Sequence, residues 1–282
     1  MKSIIACIDG SVVGDAVCDA AAWASHKLEK SLLLLHSIEK QPQHGADDLS
    51  GSIGLGAQSE LLEKMAQLDQ ERGKLALQLG KSLLQSAQER SLRNHNIQVE
   101  TRLRHGDFVD SLVELETDAR LMVVGKTGLD HGGNITAVGS HIETLIRQVH
   151  TSVLIACAPF APPNNFMLAY DGHDTADRSL ERIIAGGLLN DLPCHLVMVK
   201  SGQATQEKFD QAISRLQGEG FNVSAALLDG PVFDSLQRYK DDHGIELMVM
   251  GAFSHSKVRH LFLGSNTLRM IARADTPLIV LR

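Results

Sequence analysis

Residues 3–11 read SIIACIDGS, and residues 166–173 read FMLAYDGH. Each is an unbroken apolar run that stops at an Asp-Gly pair, Asp9-Gly10 in the first and Asp171-Gly172 in the second. A continuous apolar run of this length suits a strand buried on both faces, as in a parallel sheet covered by helices. Outward from these two stretches the same features recur in the same order. His105-Gly106 leads into DFVDSL, and Asp229-Gly230 leads into PVFDSL. Gly125 follows LMVV, and Gly251 follows LMVM. Gly139-Ser140 and Gly264-Ser265 each open a short helical pattern, and these lead on to TSVLIA and TPLIVL. The register is tight: 162 residues separate Asp9 from Asp171 and also His36 from Met198, 126 separate Gly125 from Gly251, and 125 separate Gly139 from Gly264. Gly106 and Gly230 are only 124 apart, so the first copy carries 38 extra residues after its second strand. The chain is two copies of one α/β unit.

Helical patterns fill the spaces between the runs. They cover 16–30, 58–94, 108–118 and 140–148 in the first copy, and 175–189, 205–219, 232–242 and 266–274 in the second. Gly73 and Gly80 are weak points in the longest of them. Alternating strands and helices predict two tandem doubly wound α/β domains, each a five-stranded parallel sheet flanked by helices. The first domain is expected over residues 1–158, with a Gly- and Ser-rich loop at 41–56. A linker follows at 159–165, where prolines stop both elements, and the second domain covers 166–282. Open sheets of this kind bind ligands beyond the C-terminal strand ends, where the strand order reverses. Asp9, Gly125, Asp171 and Gly251 fall at such ends.

Composition narrows the function. The net charge is -7 and the pI near 6.0, which argues against non-specific nucleic-acid binding, and aromatic residues are too few for a base-stacking surface. Cys7, Cys18, Cys157 and Cys194 lack metal or CxxC spacing; Cys7 and Cys157 sit in strand patterns and read as buried thiols. No apolar run is long enough to span a bilayer. The first residues lack a signal-peptide layout, so a cytoplasmic protein is expected.

The candidate chemistry lies in glycine-rich turns. Gly125-Lys-Thr-Gly128 precedes Gly139-Ser140, and Gly251-Ala-Phe-Ser254 precedes Gly264-Ser265-Asn266. A Gly-Ser pair opening a helix offers free backbone N–H groups and a hydroxyl to a phosphate; the same residues also suit a plain turn and helix cap. Gly125-Lys126-Thr127 is not a P-loop, because Arg120 stands where the first glycine should be and LMVV leaves no room for the cradle. The turn after the first strand lacks GxGxxG. Asp9 and Asp171 could orient a ribose hydroxyl or hold Mg²⁺ beside phosphates, or equally cap a helix. Lys126, His255, Lys257, Arg259 and His260 could neutralise phosphate, or form a solvated loop. His36 reads as a satisfied near-core residue. No HExxH or G-x-S-x-G pattern nominates a metal centre or a catalytic serine.

These residues resemble those of a tandem universal stress protein, over nearly the whole length. The resemblance rests on IIACIDGS, LLLLHSIE, HGDFVDSL and LMVVGKTG with Gly139-Ser140, and on FMLAYDGH, HLVMVK, DGPVFDSL, LMVMGAFSHSKVRHLFLGSNT and TPLIVL. It implies an adenine nucleotide alpha hydrolase-like fold, with the fifth strands pairing the domains as an internal dimer, and further assembly into a homodimer. Some members of the family bind ATP and others bind no nucleotide. Carried over, the nucleotide-contacting aspartate falls on Asp9 and Asp171, and the adenine-facing backbone on Ser37 and Val199. The ribose and phosphate glycines fall on Gly125 and Gly128, and on Gly251 and Ser254, the last lacking the glycine. The phosphate-holding helix start falls on Gly139 and Ser140, and on Gly264, Ser265 and Asn266. The first copy has one residue too many before Gly139, so the second is favoured. The resulting expectation is an ATP-binding stress-response protein, with Mg²⁺, that acts through conformation or partners. The alternative is a nucleotide-free interaction protein; a slow ATPase is a lesser reading, because no general base or nucleophile pair is evident.

Overall fold

The structure, a computed structural model, describes residues 2–39, 55–93, 95–126, 140–200, 206–252 and 265–282. The first half runs β1 (Ser3–Cys7), α1 (Gly14–Leu28), β2 (Leu32–Ile38), α2 (Leu55–Leu92), β3 (Val99–His105), α3 (Phe108–Glu114), β4 (Ala119–Gly125), α4 (Ser140–Gln148) and β5 (Val153–Ala156). The second runs β6 (Phe166–Tyr170), α5 (Asp174–Ile184), β7 (Cys194–Val199), α6 (Gln206–Gly218), β8 (Val223–Leu228), α7 (Val232–Asp242), β9 (Met248–Gly251), α8 (Ser265–Arg273) and β10 (Leu278–Leu281).

Each half forms the expected five-stranded parallel sheet, and the two join into one sheet of ten strands in the order β3-β2-β1-β4-β5-β10-β9-β6-β7-β8. The join is the fifth-strand pairing: β5 and β10 run antiparallel, with Leu278 opposite Ile155 and Val280 opposite Val153. The two halves therefore form an internal pseudo-dimer. Alternate residues of each strand point to opposite faces. Ile4 and Ala6 pack with α1, α2, α5 and α6 on one side. Ile5 and Cys7 pack with α3, α4, α7 and α8 on the other. Each core layer crosses the seam and includes residues of both halves.

Several boundaries depart from the sequence pattern for local reasons. The helix expected over 175–189 stops at Ile184, because Gly186-Gly187 follows and Gly187 takes a positive φ of 77°. The pattern over 108–118 splits into α3 and a 3₁₀ turn at Glu116–Asp118. Asp107 starts α3 by accepting from the backbone N–H of Val109 (2.7 Å) and Asp110 (3.0 Å). Replacing Asp107 with alanine should cost about 1 kcal/mol, measurable as a lower denaturant midpoint with unchanged slope.

The extra residues of the first half enlarge α2 to 38 residues, against 13 in its counterpart α6. Its C-terminal part is anchored: Arg90 grips Asp19 with two bonds (2.8 and 2.7 Å) and reaches Asp15 (2.9 Å). Gly80 allows the closest approach, since a Cβ there would lie 2.7 Å from Leu103 Cδ1 and 2.8 Å from His36 Cδ2. Farther up, Leu68, Leu75 and Leu79 are 53%, 64% and 59% exposed.

The segment ahead of β6 is tied down on both sides. Phe160 packs on Trp23 at 5.9 Å between ring centroids. Asn164 donates to Glu246 Oε2 through its backbone N–H (2.8 Å) and its amide (2.9 Å), and Asn165 Oδ1 accepts from the Glu246 N–H.

Candidate functional site

Strand pairing gathers the sequence-predicted residues at adjacent strand ends. In the first half Cys7 pairs with Leu35 and Ala6 with Val123. This places Asp9, Ser37 and Gly125 side by side at the C-terminal ends of β1, β2 and β4. In the second half Tyr170 pairs with Met198 and Leu168 with Val249, which places Asp171, Val199 and Gly251 likewise. Both groups sit where the strand order reverses beside the first strand of the half, the usual ligand crevice of such sheets.

The two crevices share a backbone and differ in what covers it. Asp9 accepts from the Ser11 N–H at 2.9 Å, and Asp171 from the His173 N–H at 3.1 Å. Gly10 and Gly172 follow with φ of 75° and 72°, the left-handed turn that only glycine adopts freely. In the first half α2 lays Leu83 over this turn, its δ-carbons 3.1 and 3.2 Å from where a Cβ on Gly10 would be. In the second half the cover is polar. Lys208 of α6 donates to the Gly172 carbonyl at 3.0 Å, and His173 Nδ1 lies 3.4 Å from Asp171 Oδ1. Tyr170 donates its hydroxyl to Asp177 at 2.5 Å; burial first, and then Asp177, pushes that phenol upward.

The remaining candidates divide unevenly. Ser37 is engaged inside the fold, donating to the Gly106 carbonyl at 2.8 Å and lying 3.3 Å from the Ser111 hydroxyl. Gly125 packs against Val13, whose γ-carbon a Cβ would strike. Gly251 accepts from Thr267 of α8 at 3.3 Å, fixing that helix beside the crevice, with Ser265 and Asn266 exposed in its first turn. Gly128, Gly139, Ser254, Gly264 and the basic residues His255, Lys257, Arg259 and His260 lie outside the described residues, as does the Ser140 hydroxyl. His36 is satisfied as expected, with Nδ1 2.5 Å from the Ile8 carbonyl.

The phosphate role considered for Lys126 is not what the structure shows. Its side chain is 6% exposed, and its ammonium donates to the Ala274 carbonyl at 2.6 Å, just past the end of α8 in the other half. A lysine at a helix C-terminus satisfies an orphan carbonyl and complements the helix dipole. Lys126 is a clasp between the halves.

A metal and a nucleotide can each be tested against the donors present. Glu39, Asp107 and His141 offer ligand atoms within 4.8 Å of one another at the first half's strand ends, a donor set suited to a divalent cation. Their wide sequence separation hid them from motif reading. Ser11 Oγ is buried without a hydrogen-bond partner among the described residues, and an orphaned hydroxyl beside Asp9 fits a polar ligand. In the second half Lys208 and His173 fit an anion beside Asp171. The cysteines fit no chemistry. All four are buried, and desolvation pushes Cys18 and Cys194 up to about 12 and Cys157 to about 11, with Cys7 raised as well. A thiol so raised is a poor nucleophile at neutral pH.

Comparison with known proteins agrees with this architecture. The model of the universal stress protein family matches residues 1–156 and 199–282. Universal stress protein Slr1230 of Synechocystis is 31% identical over 292 residues, covering 100% of both chains. Universal stress protein MJ0577 of Methanocaldococcus jannaschii is 22% identical over 83 residues, 29% of this chain and 51% of that one. Among solved structures, a universal stress protein from Archaeoglobus fulgidus superposes with a TM-score of 0.70 at 16% identity, over 99% of this chain and 98% of that one. A protein of unknown function from Pseudomonas aeruginosa does so at 0.62 and 16%, over 100% and 92%. The chain belongs to the universal stress protein family, with two of its domains in tandem.

Proposed function

We propose that the chain is a cytoplasmic stress-response protein that binds an adenine nucleotide, ATP with Mg²⁺, at the strand ends of its second half. It acts through conformation or partners rather than turnover. The observation that carries this is the second crevice itself. Asp171, Val199 and Gly251 meet there, Lys208 and His173 stand beside Asp171, and the first turn of α8 is held next to Gly251. An aspartate for ribose, with a lysine ammonium, an imidazole and a helix N-terminus for phosphate, are the parts a nucleotide requires. Leu83 makes the first crevice the less suitable one. No helix among the described residues is long and apolar enough to cross a membrane.

The second reading is an interaction protein that needs no nucleotide. The exposed leucines Leu68, Leu75 and Leu79 of α2 favour it, since large apolar side chains along one helix suit a second copy of the chain or another protein. Calorimetry with MgATP separates the two. Wild type should bind one nucleotide per chain, Asp171→Ala should weaken binding at least tenfold, about 1.4 kcal/mol, and Asp9→Ala should change it little. No heat at millimolar MgATP would leave only the interaction reading. Equal losses in both variants would overturn the preference for the second half.

A further inference from the structure

We propose that the seam between the halves holds a second ligand site, for an amphipathic anion: a hydrocarbon tail carrying one carboxylate or phosphate head. A cavity of about 560 Å³ opens there, between the C-terminal ends of α1 and α5, the start of β4, the residues leading into β5, and β10. Its size is that of a small-molecule site, which runs from about 300 to 1,000 Å³. It is separate from both strand-end crevices and shares no residue with them.

The lining has two characters. Leu28, Leu121, Leu188, Leu189, Ile279 and Leu281 form an apolar surface continuous with the core layer of the α1 and α5 face. Lys2, Arg120 and Arg182 line the same cavity. Three cations here stand out in a chain of net charge -7. The bonds of the two arginines position them without neutralising them. Arg120 donates to the Gly186 carbonyl at 2.7 Å, and Arg182 to the His150 carbonyl at 3.3 Å. Among the described residues no carboxylate pairs with Lys2, Arg120 or Arg182. The one carboxylate in the lining, Glu116, is occupied by the backbone N–H groups of His150 and Thr151. Just behind, Arg282 donates to the Val149 carbonyl at 2.6 Å. Burial lowers its guanidinium below the ordinary value; Glu116 opposes this and Arg182 adds to it.

An apolar floor gains from covering by hydrocarbon, while guanidinium groups at its edge gain from a carboxylate or phosphate, which they bind as paired donors. A neutral hydrocarbon would leave the cations unmatched, and a small hydrophilic anion would leave the floor wet. A ligand with both parts matches both.

Calorimetry on the full chain tests this with four probes below any micelle concentration: dodecanoate, dodecyl phosphate, dodecanol and inorganic phosphate. One or both of the charged amphiphiles should bind once per chain, at least tenfold tighter than dodecanol or phosphate, and their ranking identifies the head group. Arg120→Gln with Arg182→Gln, which keeps hydrogen-bond donors at both places, should weaken the anions at least tenfold and leave dodecanol unchanged. Leu188→Trp, which fills the cavity, should abolish binding of all. If the double arginine change unfolds the chain, Arg182→Gln alone must still weaken the anions at least threefold. Saturating MgATP and Asp171→Ala should leave these affinities unaltered, so failure of the nucleotide reading would not mimic failure here. No amphiphile binding, binding indifferent to the arginine and Leu188 variants, or competition by ATP would each overturn the proposal.

Discussion

Truncating Phe166 to alanine should lower the free energy of unfolding by about 3–5 kcal/mol. The side chain is fully buried at the start of β6 and meets Phe221 edge-on, with ring centroids 6.3 Å apart. Removing it forfeits both the transfer of a large apolar group and the contacts around the space left behind. The loss should also be felt in the other half. Phe166 belongs to a core layer that crosses the seam to Ile4, Ala6 and Leu154, and unfolding the second half would strip β10 from β5 and leave an open apolar edge. Trp23, the only tryptophan, lies in α1 of the first half. Its fluorescence and the far-ultraviolet circular dichroism should therefore shift together in urea. A tryptophan transition unmoved by Phe166→Ala would show that the halves unfold independently.

The second large effect concerns Glu116. Its carboxylate is 19% exposed and accepts from the backbone N–H groups of His150 and Thr151, the latter at 2.7 Å, just before β5 enters the sheet. Glu116→Ala strands both donors and should cost about 1.5–3 kcal/mol, the range for hydrogen bonds to a charged group. Burial alone would raise this carboxyl, but the two N–H groups, helped by His150, outweigh it and hold it below its ordinary value. The pH dependence follows from that sign. A depressed folded value means that the unfolded chain binds the proton more readily. The contribution is complete above the ordinary carboxyl value, near about 4.3, and is lost as pH falls through the lower folded value. Wild type should therefore lose stability over this acid window by a margin absent from Glu116→Gln. Parallel wild-type and Glu116→Gln curves of unfolding free energy from pH 6 to pH 2 would contradict the assignment.

The architecture was legible because parallel strands buried on both faces leave an unbroken apolar trace, and because the chain writes that trace twice. IIACI and FMLAY mark equivalent places even though their residues differ. The turns were legible as well: Asp9-Gly10 and Asp171-Gly172 require a left-handed glycine, and that requirement shows in the letters. What covers each turn was not legible. Leu83 and Lys208 reach their glycines from helices far along the chain, and no local pattern connects them. Gly80 looked like a flaw in a long helix until His36 and Leu103 appeared against it. Lys126 misled for a related reason. A lysine after a glycine at a strand end suggests phosphate, but its partner, the Ala274 carbonyl, belongs to the other half and is invisible from its neighbours. Glu39, Asp107 and His141 meet only through the packing of three separate segments.

The antiparallel pairing of β5 with β10 has a consequence for symmetry. Had the two halves been separate, identical chains, the same contact would be a twofold interface, and any change on one side would be repeated on the other. Joined end to end, the copies keep the contact without that obligation. A substitution can be accepted on one side alone, provided the opposite side still fits it. Leucine can thus close the turn at Gly10 while lysine stands over Gly172, and an ammonium can reach from Lys126 to Ala274 without a mirror image. The fused chain is free to assign its two crevices to different tasks while both remain parts of one sheet.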